Sequence, residues 1–168
     1  MAFATLTDVF VDQIDDLSSA ESQLVEALPK LAAAASDDKL RDAIELHLEQ
    51  TQGQIERLEK IRTLLGISSE EKKCRGMAGL IAEGDETIKV SGAGPAKDAA
   101  IIAAAQRVEH YEIAAYGTAR TLADELGFED AKRLLGETLD EESAADQLLS
   151  RLATGGIFRG GINADANV

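Results

Sequence analysis

The chain has 168 residues, the length of one domain, and its scarcity of aromatic residues (4%) together with abundant alanine and leucine favours helices over sheets. It carries 31 acidic and 17 basic residues, and the resulting net charge of −14 repels phosphate backbones, so no nucleic-acid partner is expected. Cys74 is the single cysteine, which excludes an intrachain disulfide. No apolar run approaches the ~20 residues of a membrane span, and no signal peptide is recognisable, so we predict a cytoplasmic protein without membrane contact.

The first predicted helix starts at Thr5 or Thr7, either of which can cap its backbone, with Asp8 in the first turn. Apolar residues then recur every three or four positions, which is typical of a helix that packs in a bundle. These residues are Phe10, Ile14, Leu17, Leu24, Leu28 and Leu31. Glu21 occupies a gap in this series. Pro29 removes a backbone donor, and we expect it to kink the helix.

The second predicted helix starts at residues 36–38 and ends at Gly66. The middle of its inward face is polar, with His47 and Gln54 on the face and Gln50 at its edge. Residues 67 to 94 predict a shorter connecting helix and a flexible turn. Its start is expected at residues 68–71 and its break at Gly84.

The third long helix is predicted to begin at Pro95, which suits a first helical position, and to stop at Gly127. Its inward face includes Glu109, Glu112 and Tyr116. The fourth long helix carries Glu142 at its middle and ends before residues 155–156. We predict a flexible tail over residues 154–168, so the domain is expected to span residues 1–153.

The sequence therefore predicts four long helices in two hairpins, and a short link joins the two helices of each hairpin. The connection between the hairpins is about 30 residues long, which allows the second and third long helices to run parallel. One long crossover is the ferritin-like variant of the four-helix bundle. The sequence therefore predicts an all-α, ferritin-like bundle whose crossover carries a short helix.

The polar residues of the inward faces all lie near the middle of their helices, and midpoints coincide in an up-down bundle. This set contains Glu21, Glu109, Glu112 and Glu142, together with His47, Gln50 and Gln54. A buried carboxylate needs a cation, an arginine or lysine, or a proton. Oxygen ligands with an imidazole suit one or two Fe or Mn ions, and less well Zn. The sequence therefore predicts a metal centre in the bundle core.

Simpler explanations remain open for each of these residues. A single glutamate can be partly exposed or paired with a base, although Arg57, Arg107 and Arg120 do not share the register of the acids. His47 can be a hydrogen-bonded core histidine. Outside the inward set, His110 is interpreted as the partner of a carboxylate or as an interface residue, and Asp146 as solvated or at the edge of the site.

Four segments carry a resemblance to a known family. They read "TLTDVFVDQIDDLSSAESQLVEALPKLA", "HLEQTQGQIERLEKI", "AAIIAAAQRVEHYEIAAYGTA" and "ETLDEESAAD", and the stretch VEHYEIAAYGT is the most specific. Over residues 5 to 153 the chain resembles the YciE/YciF-type ferritin-like stress proteins. The resemblance implies a homodimer, relatedness to rubrerythrin-type di-metal bundles, induction under stress and no settled activity. It also implies that Glu21, Glu109, Glu112 and Glu142 match the acids of the family's site.

The chain departs from the ferritin-like pattern on its second helix. The usual site has Glu-x-x-His on two helices, and this sequence has neither. Gln50 and Gln54 stand where many family members have Glu and often His, and Asp146 lies where related proteins have His. An amide is a neutral, weak ligand, so one weakly bound metal, or none, is compatible with this half of the site.

Two functions from different classes follow. The first is a stress protein whose metal centre acts in oxidation chemistry or metal sequestration. The second is a non-enzymatic dimeric structural or interaction module whose site has degenerated. A ferritin-like cage is a third, weaker option.

Overall fold

The computed structural model describes residues 3–68, 72–156 and 159–167. Its helices and strands, in chain order, are α1 (Leu6–Ala34), α2 (Asp38–Leu65), α3 (Arg75–Lys89), α4 (Pro95–Glu125), α5 (Glu129–Thr154), β1 (Gly155–Gly156), β2 (Arg159–Gly160) and α6 (Ile162–Asp165). Helices α1, α2, α4 and α5 are the four predicted long helices, and α3 is the helix of the crossover. In the described ranges, none of the helices is both long and apolar enough to cross a membrane.

Helix ends lie where the capping residues predict them. The Thr5 hydroxyl accepts the Asp8 N–H at 3.2 Å, and the Asp8 carboxylate accepts the Thr5 N–H at 2.8 Å, so the two residues satisfy each other's backbone donors. Gly66 ends α2 in the left-handed region with φ of 64°, which favours glycine. Pro95 is the first residue of α4, as predicted. Helix α1 continues through Pro29, and the kink there stays a prediction.

The crossover helix α3 differs from its predicted bounds. It begins after Cys74, whose sulfur accepts the Met77 N–H at 3.4 Å, and it continues through Gly84 to Lys89. The predicted break at Gly84 is therefore wrong. One glycine costs a helix only about 1 kcal/mol, and the packing of Leu80 and Ile81 against the core offsets that cost. The predicted start at residues 68–71 falls largely on residues 69–71, which lie outside the described residues.

Two apolar clusters, one toward each end of the bundle, define the helix directions. Helix α2 passes from one cluster at Leu40 to the other at Leu58, and α4 passes the same way from Ile101 to Ala119. Helices α1 and α5 run in the opposite direction between the same clusters. The parallel arrangement of α2 and α4 across a long connection confirms the predicted all-α bundle.

The described residues after Thr154 contain local structure. Strands β1 and β2 pair antiparallel, and α6 follows them. Ile162 is buried and belongs to the same apolar cluster as Leu149. The flexibility of the tail and the domain boundary at residue 153 stay predictions.

Candidate metal centre

The four glutamates that the sequence places on inward faces are all buried. Glu21, Glu112 and Glu142 have no measurable exposure, and Glu109 is nearly as deeply buried. They lie between the two apolar clusters, together with buried His47, Thr51 and Gln54 of α2. The three-or-four residue spacing of each helix has therefore turned its polar midpoint toward the core.

Three of the glutamates and the histidine converge on one point. His47, Glu109, Glu112 and Glu142 each offer one ligand atom, and these four atoms all lie within 4.8 Å of one another. From His47 Nε2, the nearest oxygens of the three carboxylates are 3.6 Å (Glu109), 3.8 Å (Glu112) and 3.8 Å (Glu142) away. Helices α2, α4 and α5 thus bring one nitrogen and three carboxylates together. We refer to these four residues as the buried cluster.

Glu21 of α1 lies beside the buried cluster but is held by a different partner. The Tyr116 hydroxyl donates a hydrogen bond to Glu21 Oε1 at 2.5 Å. The second carboxylate oxygen of Glu21 has no partner within the described residues. Tyr116 is itself fully buried. Sequence reasoning placed Tyr116 on the inward face but did not predict this contact, because spacing gives the face of a helix and not the reach of a phenol.

The two predicted glutamine ligands take different positions. Gln54 is fully buried, and its Nε2 donates to Glu142 Oε1 and, at 3.2 Å, to Glu141 Oε2. It therefore contacts the buried cluster as a hydrogen-bond donor. Gln50 is half-buried and lines a cavity together with His47.

Arg57 links α2 to α5 outside the buried cluster. Its guanidinium donates to both oxygens of Glu141, at 2.7 and 2.5 Å, and this charge-assisted pair holds the Glu141 carboxylate beside Gln54. The sequence predicts that Arg57 does not share the helical register of the four inward glutamates. Its pairing with Glu141, outside the buried cluster, agrees with that prediction. Over residues 3–68, 72–156 and 159–167, no lysine or arginine forms an ion pair with Glu21 or with the three glutamates of the buried cluster.

Burial and mutual repulsion change the acidity of these groups. Burial, reinforced by the charge of Glu112, raises the pKa of Glu21 well above its ordinary value. Burial also raises the pKa of both Glu109 and Glu112, and the charge of Glu142 adds to each shift. Burial acts to lower the pKa of His47, but the surrounding carboxylates outweigh it and the pKa rises. Without a cation, burial therefore favours the protonated form of Glu21, Glu109 and Glu112.

The buried cluster fits a metal ion by the chemistry of its unpaired atoms. In the described part of the chain, both oxygens of Glu112, one oxygen each of Glu109 and Glu142, and both nitrogens of His47 lack a hydrogen-bond partner. Native proteins seldom leave buried polar atoms unpaired unless an ion or water satisfies them. A set of carboxylates with one imidazole suits Fe or Mn, and also Zn. The cluster therefore has the residues to hold such an ion.

His110 and Asp146 form a separate pair at the surface. The His110 side chain is 67% exposed, and its Nε2 lies 3.2 Å from Asp146 Oδ1. Gln106 donates to the same Asp146 oxygen at 2.9 Å. His110 thus contacts a carboxylate, as interpreted from the sequence, but one that does not belong to the buried cluster.

Comparisons with known proteins support the bundle fold and show which family the chain belongs to. The family model described as a domain of unknown function (DUF892) matches residues 5–163. The chain is 49% identical to Protein YciF of Escherichia coli over 154 residues, which are 91% of this chain and 93% of that protein. The crystal structure of the E. coli stress protein YciF covers 89% of this chain and 95% of its own, with a TM-score of 0.87.

Two further solved structures are similar. YcfI of Rhodopseudomonas palustris, described as a proposed structural protein, is 42% identical with a TM-score of 0.85, covering 88% of this chain and 94% of its own. A protein from Xanthomonas campestris pv. campestris shares the fold at 18% identity, with a TM-score of 0.70 and coverage of 88% and 89%. By its family match over most of its length and its identity to YciF, the chain belongs to the DUF892 family of YciF-like helical-bundle proteins.

Proposed function

We propose that the protein is a cytoplasmic, homodimeric stress-response bundle whose buried cluster binds one or two Fe or Mn ions, with Zn as a less suited alternative. The observation that carries this proposal is the convergence of four ligand atoms from three helices within 4.8 Å, with unpaired oxygens and no lysine or arginine partner among the described residues. The stress role is supported by the name of the E. coli relative.

The residues of this chain have distinct tasks in such a centre. Glu109, Glu112 and Glu142 would ligate through carboxylate oxygens, and His47 through an imidazole nitrogen. When bound, Fe or Mn with an open coordination position supplies redox chemistry toward peroxide or dioxygen, or the centre withholds the ion from solution. The apolar clusters above and below lower the local dielectric and so strengthen each charge interaction.

Neighbouring side chains hold the carboxylates in place. The amide of Gln54 donates to Glu142, and Arg57 fixes the adjacent Glu141. The Tyr116 hydroxyl fixes Glu21 next to Glu112. Hydrogen bonds of this kind orient ligands and tune metal affinity.

Metal analysis of the purified protein tests the proposal. Protein produced in medium that contains both iron and manganese is expected to carry Fe or Mn near stoichiometry. Glu112→Ala should lose most of that metal and melt at a lower temperature than the wild type. Glu56→Ala, which removes an exposed glutamate of α2, is the matched control and should retain the metal. Wild-type protein without bound metal, or equal metal contents in all three proteins, would contradict the proposal.

A second function is supported by the buried polar residues that lie between the two apolar clusters, which we call the polar layer. In this alternative the protein is a non-enzymatic dimeric structural module, and protons replace the metal. Gln54 is a neutral donor to Glu142, and the raised pKa of Glu109 and of Glu112 makes protonation a physical means of neutralising the layer. The description of YcfI as a proposed structural protein agrees with this reading. Here Glu112→Leu should leave stability unchanged or raise it whatever metal is present.

A further inference from the structure

A cavity of about 200 Å³ opens between α2 and α5 and reaches the buried cluster. Small side chains line it from both of these helices, with Ala43 on α2 and Ala144 and Ala145 on α5, and they leave room for the cavity. Its walls are largely apolar and come from four helices, with Ala105 as the apolar residue of α4. They are also formed by Leu28, Ile44, Leu148 and Leu149.

The two ends of this cavity differ in chemistry. His47 and Glu109 line it and are almost fully buried, so they form the inner end. Within the described chain, His47 Nδ1 and Glu109 Oε2 have no hydrogen-bond partner. Leu46, which is 48% exposed, and Arg151 mark the outer end. The cavity thus combines an apolar body with unpaired polar atoms at its closed end.

We propose that this cavity is a binding pocket for a neutral hydroxyl compound with a single aromatic ring or a short alkyl chain, its hydroxyl directed toward His47 and Glu109. The size supports this class, since an apolar cavity of about 150 Å³ is large enough for benzene. A hydroxyl both donates and accepts, so it pairs with an imidazole and a carboxyl group in either protonation state. Anions are disfavoured by the carboxylates at the inner end and by the net charge of −14.

The inference deepens the proposed function, because the pocket ends at the same residues that would hold the metal. It specifies which molecules reach that centre from solution: small neutral compounds that fit between α2 and α5. Binding itself depends on the shape of the pocket and not on a bound ion. The pocket can therefore be tested in protein treated with a chelator, separately from the metal proposal.

Phenol is the probe, and its binding to the full-length, chelator-treated chain is measured by calorimetry and by NMR shift perturbation. Ala145→Leu fills the pocket from α5, and Ala43→Leu fills it from the opposite wall, so the test does not depend on one variant folding. Ala114→Leu places the same side chain on an exposed position of α4 that does not line the pocket and is the matched control. Circular dichroism establishes that each variant is folded.

Saturable phenol binding by the wild type is expected, weakened at least about tenfold by a pocket-filling leucine and changed less than about twofold by Ala114→Leu. Benzoate, the anionic counterpart, should bind more weakly than phenol. The inference is overturned if wild-type protein shows no saturable binding at millimolar phenol, if folded Ala145→Leu and Ala43→Leu bind as the wild type does, or if benzoate binds more tightly. Metal content measured on the same variants before chelator treatment separates the two proposals, since pocket-filling leucines should leave it unchanged.

Discussion

Replacing Glu112 by leucine separates a metal-binding cluster from a proton-neutralised layer more sharply than any other substitution. Glu112 is fully buried, neither oxygen has a hydrogen-bond partner among the described residues, and His47 Nε2 lies 3.8 Å away. Replacing buried ionic groups by hydrophobic residues of similar volume is often neutral or stabilises a protein by about 1–4 kcal/mol, and removing Glu112 also relieves its desolvation cost and its repulsion with Glu142. In a chain of this length each kcal/mol shifts the melting temperature by about 2–4 °C. A gain of about 2 kcal/mol therefore raises the melting temperature of chelator-treated Glu112→Leu by roughly 4–8 °C.

A bound metal ion should reverse this order of stability, so that the wild type melts at a higher temperature than Glu112→Leu. A ligand at about 100 times its dissociation constant stabilises the folded state by about 2.7 kcal/mol, which is roughly 5–11 °C here. The wild type should show that increase with Mn²⁺ or anaerobic Fe²⁺, whereas Glu112→Leu has lost a ligand and should show little. Thermal melts followed by circular dichroism, with chelator and with metal, measure both effects, and Glu56→Leu is the exposed control. Equal metal responses of wild type and Glu112→Leu would show that Glu112 is not a ligand, and a lower melting temperature of the variant in chelator would show that the buried carboxylate does not destabilise the fold.

Other buried polar groups of the bundle should also respond to pH, substitution or chemical modification. Chelator-treated protein should lose stability as the pH rises from about 4.5 through neutrality, because Glu21, Glu109 and Glu112 keep their protons to a higher pH in the folded chain than in the unfolded chain. A melting temperature higher at about pH 8 than at about pH 5 would contradict this. Gln54→Leu removes the donor to Glu142 and should weaken Mn²⁺ binding about 10–100-fold in a competitive chelator titration; unchanged affinity would show that the amide does not orient the ligand. Buried Asp15 lies 2.7 Å from Arg62, and Arg62→Ala removes this partner. The free energy of unfolding in urea should fall by about 3–5 kcal/mol, and adding Asp15→Leu should restore much of that loss. Burial raises the pKa of the Cys74 thiol and leaves it no exposed area, so alkylation of the folded chain at about pH 8 should be at least about a hundredfold slower than in urea, and a rapid reaction would argue against that burial.

The helix ends and the inward faces could be predicted because each depends on residues close in sequence. The reciprocal bonds of Thr5 and Asp8 follow from a Thr three residues before an acid, and Gly66 ends α2 because glycine tolerates its positive φ. The burial of Glu109 and Glu112 follows from three-residue spacing on an otherwise apolar face. These are local rules, and they carry most of the fold.

The partners of the buried groups could not be predicted, since they depend on the heights and rotations of neighbouring helices. Spacing placed Gln54 on the inward face but could not show that its amide nitrogen would meet Glu142. Nothing in the sequence paired Arg57 with Glu141 across two helices. The continuation of α3 through Gly84 depends on tertiary packing that overrides a local propensity.

We propose that His47, Glu109, Glu112 and Glu142 share a metal ion. Diffraction data collected from crystals of the protein at the Fe and Mn absorption edges test it most directly. We expect an anomalous peak among His47 Nε2 and the three carboxylates, and its loss in Glu112→Ala. Crystals of metal-supplemented protein without such a peak, with the glutamates hydrogen-bonded to one another as protonated acids, would contradict it.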